Sequence, residues 1–321
     1  MIGCGALGLI HTQRLNAIAG VEIAGVSDPD IEAMTRCKDS ALDPENVSDF
    51  SDYKTMLKEM QLDAVCISSP NPFHVEQILA SLESGCHVLC EKPLTMDREE
   101  AKKVGLAATV ANKHVAIAYQ SRYRRDSRAL KRALQSGEWG KINSINLFAC
   151  EDWMTPNGGT WRHDPKLCPA GYFGDANGHQ LDLVCWLSDS YPEQVSASML
   201  TRGTQVPMLT WGTARMKAES SIFPLTFLFD GTATGWREEI SIQTEGADFV
   251  MRDTRLFWTD GSAPLAHFPE SLYHSDDVDD TPDSAFVALL RGEQPAVSPP
   301  LSVNPVILFT LMAMESWKSS S

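Results

Sequence analysis

The 321-residue chain is short of the features that usually assign a protein at sight. Its eight cysteines, Cys4, Cys37, Cys66, Cys86, Cys90, Cys150, Cys168 and Cys185, are scattered and include no C-x-x-C pair. That spacing argues against a disulfide framework and reads as reduced, mostly buried thiols of a cytoplasmic protein. Positive charge is scarce too: 27 lysines and arginines stand against 42 aspartates and glutamates, for a net charge of −15. A surface of that sign repels nucleic acid and anionic membranes, while leaving room for a local basic pocket. No apolar run reaches the roughly 18 residues of a membrane-spanning helix; VILFTLMAM (306–314) is the longest candidate. There is no signal peptide, although a leader ahead of Met1 stays open. Internal repeats and low-complexity tracts are also missing. What remains is 43% hydrophobic and 21% charged, the composition of a soluble globular protein long enough for two domains.

The opening is short of one more thing, a strand. MIGCGALGLIH carries Gly3, Gly5 and Gly8 in the pattern G-x-G-x-x-G, the loop that cradles a dinucleotide pyrophosphate at a helix N-terminus. Ala6 and Leu7 complete the loop. Such a loop normally follows a buried strand of about 5–6 residues, yet only Met1 and Ile2 precede it. Alone the motif is weak. It gains weight from an acid at the end of the second strand, expected about 20 residues on to bind the ribose hydroxyls. Asp28 closes the apolar run VEIAGVSD (21–28), although it also suits a turn before Pro29. A carboxylate there accepts from a free 2′-hydroxyl and repels a 2′-phosphate, which favours NAD over NADP.

The same alternation continues to about residue 121. LIHTQRLNAIA has helical spacing, and DAVCISS (63–69), HVLCE (87–91) and VAIAYQ (115–120) read as buried parallel strands. Between them PFHVEQILASLESG and DREEAKKVGLAATVAN read as helices, the latter with Asp97 and Glu100 at capping-box spacing. The texture then changes. A basic helix, RRDSRALKRALQS, leads to the strand INSINLFAC, and the strand-like segments EQVSASML, PLTFLFD, EEISIQTEG and RLFWTDG crowd residues 193–260. An acidic loop, SDDVDDTPD, follows at 275–283. The fold class is therefore α/β. A doubly wound parallel sheet over 1–121 precedes an α+β domain over 122–321 with a mainly antiparallel sheet.

Two stretches, SSPNPFH (68–74) and GCHVLCEKP (85–93), resemble the TPN-x-x-H and G-x-H-V-x-x-EKP signature of the Gfo/Idh/MocA oxidoreductases. GGTWRHDP (158–165) and GYFGDANGHQLDLVCWL (171–187) are similar to that family's WR segment and its GG-x-x-x-D-x-G-x-H-x-x-D helix. The resemblance covers nearly the whole chain. It implies a Rossmann domain followed by a large antiparallel sheet often used for oligomerisation, and hence a homo-oligomer. It also implies a catalytic lysine, aspartate and histidine at Lys92, Asp175 and His179. Cofactor contacts are expected from Gly3, Gly5, Ala6, Leu7, Gly8, Asp28, Ser69, Pro70, Asn71, His74, Glu91, Lys92, Gln120, Trp161 and Arg162. Substrate contacts are expected from Lys92, Arg122, Asp175 and His179. The pattern departs from the family at Asn177, where a glycine is usual, and at both ends. The first strand is nearly absent, and MESWKSSS stops inside what resembles the final helix.

The chemistry suits those residue types. Hydride removal from a secondary alcohol needs a group that takes the hydroxyl proton, and histidine can do so near neutral pH beside an orienting carboxylate. A lysine at the end of a parallel strand lies where open α/β sheets bind ligands and can stabilise a developing alkoxide. Asp175, His179 and Asp182 are spaced to share one helix face. Each residue also has a plainer role: a loop lysine, a helix cap, a core histidine, packing at Trp161 or an ion pair at Arg162. His163, Cys168, Asp175, His179 and Asp182 match no standard zinc spacing, so no metal is expected. Three functions fit: an NAD-dependent dehydrogenase of a sugar, inositol or polyol; a glycoside-cleaving enzyme that uses NAD transiently; and a non-catalytic NAD sensor.

Overall fold

In the computed structural model, residues 1–219, 221–275, 277 and 279–320 are described, Ser320 by its backbone alone. Ser220, Ser321 and two members of the acidic stretch 275–283, Asp276 and Val278, lie outside the described residues. From the glycine loop the chain runs α1 (Ala6–Asn16), β1 (Gly25–Ser27), α2 (Ile31–Asp39), β2 (Ser48–Phe50), α3 (Tyr53–Glu59), β3 (Ala64–Ile67), α4 (His74–Glu83), β4 (His87–Cys90), α5 (Arg98–Ala111) and β5 (Val115–Ile117). The brief opening segment does enter the sheet. Ile2 bridges Ser27 on one side and Ile67 on the other, both in parallel. Its N–H donates to Cys66 O and its carbonyl accepts from Ser68 N–H, each at 2.8 Å. Met1 O accepts from Ser27 N–H, and Gly3 N–H donates to Ser27 O, each at 2.9 Å. With the parallel pairs β1–β2, β3–β4 and β4–β5, the order is β2, β1, residues 1–3, β3, β4, β5. That is the doubly wound order in which ligands bind at the carboxyl ends beside the central strand.

A cavity of about 670 Å³ lies beside Met1, lined by Met1, Val21, Ile23, Val65, Leu89 and Phe286 among others. The Met1 ammonium is buried beside it and donates to Gly25 O at 2.7 Å; burial pushes its pKa down. β2 was not expected, because its sequence SDF carries no apolar run. It is an edge strand with no fully buried residue, so burial imposes little pattern on it. At α5, Asp97 caps the helix through Glu99 N–H. Glu100 does not return the capping-box bond but takes the Thr95 hydroxyl instead.

Residues Tyr119–Asp279 form the body of a second unit. Here α6 (Arg125–Gln135) leads to β6 (Ile142–Asp152), then α7 (Gly171–Gly174), α8 (Gly178–Leu187), β7 (Tyr191–Leu200), β8 (Leu209–Lys217), β9 (Ile222–Asp230), β10 (Thr232–Thr244), β11 (Asp248–Arg252), β12 (Arg255–Thr259) and β13 (Ala266–His267). They make an eight-stranded sheet in the order β13-β12-β11-β10-β6-β9-β8-β7. Only β6 and β9 run parallel; the other described pairs are antiparallel. On β9 alternate residues Phe223, Leu225, Phe227 and Phe229 are buried while their neighbours face outward, the period-2 signature of a sheet covered on one face.

The last two helices divide between the units. The first, α9 (Pro282–Leu290), belongs with Met1–Ala118, and the second, α10 (Asn304–Ser320), belongs with the sheet unit. The second unit is thus not the continuous 122–321 stretch. Phe286, Val287 and Leu289 of α9 join the apolar core of the first unit together with Val26, Leu89 and Ala116, and this burial draws the segment back. Phe309 of α10 stacks edge-on against Phe227, with centroids 5.6 Å apart.

Candidate cofactor and catalytic site

The glycine loop is shaped by contacts that only glycine permits at two positions. Gly3 has φ +87°, and a Cβ there would meet Ser69 N at 2.5 Å. A Cβ on Gly8 would meet Gly3 O at 2.2 Å. Gly5 differs: nothing lies within 4 Å of an added Cβ. The open space over Gly5 and the first-turn N–H groups of α1, which no N-cap side chain covers, are what a pyrophosphate cradle requires. Gly5 and Ala6 are exposed, and Leu7 is half-buried. Asp28 accepts Cys4 N–H at 2.6 Å and Asp30 N–H at 2.9 Å, which fixes it beside the loop. Each carboxylate oxygen has a second lone pair for a ribose hydroxyl. These residues fit a dinucleotide.

The stretch 68–74 packs beside the same loop. Ser68 Oγ donates to Gly3 O at 2.7 Å, and Ser69 Oγ donates to Gln77 Oε1 at 2.5 Å. Pro70 opens a single turn, Asn71–Phe73, in which the buried Asn71 Oδ1 has no hydrogen-bond partner. His74 is buried, its Nδ1 2.8 Å from Pro93 O and its Nε2 2.8 Å from Ser69 O. It thereby ties this loop to the corner after β4. Burial pushes its pKa below the ordinary histidine value, opposed by the two carbonyls. Glu91 and Lys92 follow β4 directly, and Glu91 Oε2 accepts Lys92 N–H at 3.1 Å. Lys92 therefore stands at the carboxyl end of a strand in the same sheet as the glycine loop.

The second unit holds the other expected residues. Asp175, His179 and Asp182 do not share one helix: α7 ends at Gly174, Asp175 is its cap, and α8 begins at Gly178. Asn177 makes the break, its side-chain amide and its N–H both bonding Tyr172 O. Asp175 is 5% exposed and accepts from Arg162 Nε at 2.9 Å. Arg162 in turn lies 4.5 Å over the Trp161 ring. His179 is half-buried, its ring edge-on to Tyr119 with centroids 6.0 Å apart. Gln120 is exposed at the start of the turn Gln120–Tyr123.

Arg122, expected at substrate, is 1% exposed and grips Asp182 with two bonds, Nε to Oδ2 at 2.7 Å and an η-nitrogen to Oδ1 at 2.5 Å. Burial works against its charge, yet Asp182 raises its pKa above the usual arginine value. The tyrosine and tryptophan rings of Tyr119 and Trp186 flank the guanidinium at 5.7 and 5.9 Å. Asp182 therefore braces α8.

Sequence reasoning missed Tyr119, whose signal was an aromatic residue just past a buried strand, and His11, three residues beyond Gly8. His11, Cys66 and Asp283 are buried with ligand-type atoms within 4.8 Å of one another. His11 Nδ1 and Asp283 Oδ1 are 2.6 Å apart, closer than the roughly 3.3 Å between two ligands on a tetrahedral zinc. The pair is a hydrogen bond.

Residues 1–119 match the family described as "Oxidoreductase family, NAD-binding Rossmann fold". Residues 127–245 match the "GFO/IDH/MocA C-terminal domain". The chain belongs to the Gfo/Idh/MocA oxidoreductase family, as the sequence motifs implied. Among its relatives is the inositol 2-dehydrogenase of Corynebacterium glutamicum, 26% identical over 219 residues, covering 65% of this chain and 61% of that protein. The D-glucoside 3-dehydrogenase of Escherichia coli K12 is 30% identical over 184 residues, covering 56% of this chain and 52% of that protein. The matches thus span less than two thirds of either relative. A levoglucosan dehydrogenase solved with NADH and levoglucosan has a TM-score of 0.81 at 20% identity, covering 100% of this chain and 96% of that one. That likeness is one of fold. Among the described residues no helix is long and apolar enough to cross a membrane.

Proposed function

We propose that the protein is an NAD-dependent oxidoreductase that transfers hydride between the nicotinamide and a sugar, inositol or related polyol. The observation that carries this reading is the position of Lys92. It follows the carboxyl end of β4 in the sheet that also presents the glycine loop and Asp28, where open α/β sheets bind ligands. Gly3, Gly5, Gly8 and the first turn of α1 hold the pyrophosphate, and Asp28 binds the ribose and selects NAD. Ser69, Pro70, Asn71, His74, Glu91, Gln120, Trp161 and Arg162 are the further cofactor contacts. Bound NAD supplies the hydride acceptor. Lys92 stabilises the developing alkoxide, and His179 takes the hydroxyl proton, its ring steadied by Tyr119. Asp175, held by Arg162, provides the carboxylate that supports the charge on His179.

Two coarser features support a cytoplasmic homo-oligomer. All eight cysteines are free thiols. The outward face of the sheet presents Trp211 and Leu228 in register with one another and with Phe148, and Trp211 and Leu228 are each 40% exposed. A second copy of the chain is the occupant proposed for that face. The function is tested with a panel of polyols and sugars plus NAD, followed by NADH absorbance. An aryl glycoside is assayed in parallel for aglycone release. NADH from a polyol or sugar supports the oxidoreductase; aglycone release without net NADH supports the glycoside-cleaving reading instead.

A further inference from the structure

Helix α1 carries His11 from the glycine loop into the interior, where its side chain is 2% exposed. Nδ1 lies 2.6 Å from Asp283 Oδ1, and Nε2 lies 3.1 Å from Glu91 Oε1. Carboxylates only accept, so both contacts are hydrogen bonds when the ring carries both protons. The other oxygen of Glu91 accepts Lys92 N–H at 3.1 Å. One continuous chain of bonds thus runs from Asp283 on α9, through His11 on α1, to Glu91 and the backbone of Lys92. On the far side of that corner His74 holds Pro93 O at 2.8 Å.

We propose that His11 is a positioning residue: by bridging the carboxylates of Asp283 and Glu91 it fixes the backbone of Lys92 relative to the glycine-loop helix, and so sets where the lysine ammonium stands. This rests on the reading of Lys92 as a catalytic group. The groups facing the ring come from three elements besides its own: Asp283 of α9, Glu91 after β4 and Cys66 of β3. From α1 itself, Arg14 lies 3.6 Å from the second oxygen of Asp283. Two carboxylates are thus met by the imidazolium and one guanidinium. Burial disfavours the charged ring, but Cys66, Asp283 and Glu91 outweigh it and raise its pKa. The arrangement matters for turnover because a lysine is a long, flexible arm. Its ammonium reaches a defined point only if its backbone is anchored, and a misplacement of about 1 Å can cost about 10²-fold in rate.

The test compares the full-length protein with His11→Gln and Glu91→Gln, both close in size to the residues replaced. Lysines are labelled with ¹³C at Cε, and the Lys92 signal is assigned by its loss in Lys92→Ala. The expected result is that both variants move the Lys92 signal and leave the other lysine signals in place. Turnover should fall about tenfold or more at saturating NAD, with substrate KM within a few-fold. ¹⁵N spectra of wild type at neutral pH should show both His11 ring nitrogens protonated. A Lys92 signal unmoved in the folded variants overturns the proposal, as does a neutral His11 ring. The two NMR readings need no turnover. A protein that shows them yet makes no NADH from any polyol or sugar contradicts the proposed function and leaves the positioning role of His11 standing.

Discussion

Asp28 Oδ2 accepts the N–H of Cys4 at 2.6 Å, so the acid at the end of β1 and the glycine loop hold each other in place. On the proposed function, cofactor choice and pyrophosphate binding both draw on this one short contact. The same relationship explains why an acid twenty residues past Gly8 was informative: the two are neighbours once residues 1–3 lie beside β1.

The first prediction follows from that contact. NAD should bind at least about tenfold more tightly than NADP, because Asp28 accepts from the 2′-hydroxyl and repels a 2′-phosphate; a hydrogen bond to a charged group contributes on that scale. Titrating both cofactors against intrinsic fluorescence checks it, and equal affinity would count against Asp28 as the selector.

A second prediction concerns chemistry. Lys92→Ala and His179→Ala should each lower turnover by about 10²-fold or more, the scale of general acid–base groups. NAD affinity should stay within a few-fold, since neither residue belongs to the glycine loop. Near-normal turnover in either variant removes that residue from the mechanism.

Much of the first unit was legible because its signals are local. The glycine loop, the apolar strands, Asp28 and the EKP corner are each set by residues close together in sequence. Burial on both faces makes parallel strands easy to see. β2 escaped because SDF sits at an edge with no burial pattern to read. The shared helix face of Asp175, His179 and Asp182 was misread because Asn177 bonds back to Tyr172 O and breaks the helix. That the Arg122 guanidinium is buried on Asp182 is not visible in a sequence, because the two residues stand 60 positions apart. The link from His11 to Asp283 spans 272 residues, and no spacing rule reaches that far.

The third prediction addresses that arginine. Removing one partner of a buried ion pair strands the other charge, at a cost of about 3–5 kcal/mol. Arg122→Met should lower unfolding free energy by about that amount in denaturant titration while NAD affinity stays unchanged. A stability loss under about 1 kcal/mol would show that the pair is not needed for packing α8.

The most direct measurement of the proposed function follows the hydride itself. The polyol or sugar giving the most NADH is prepared with deuterium on its ring carbons and incubated with the protein and NAD. The account predicts NADH carrying one deuterium at nicotinamide C4, formed by wild type and about 10²-fold more slowly by Lys92→Ala. NADH without the label, or no NADH from any member of the panel, would contradict it.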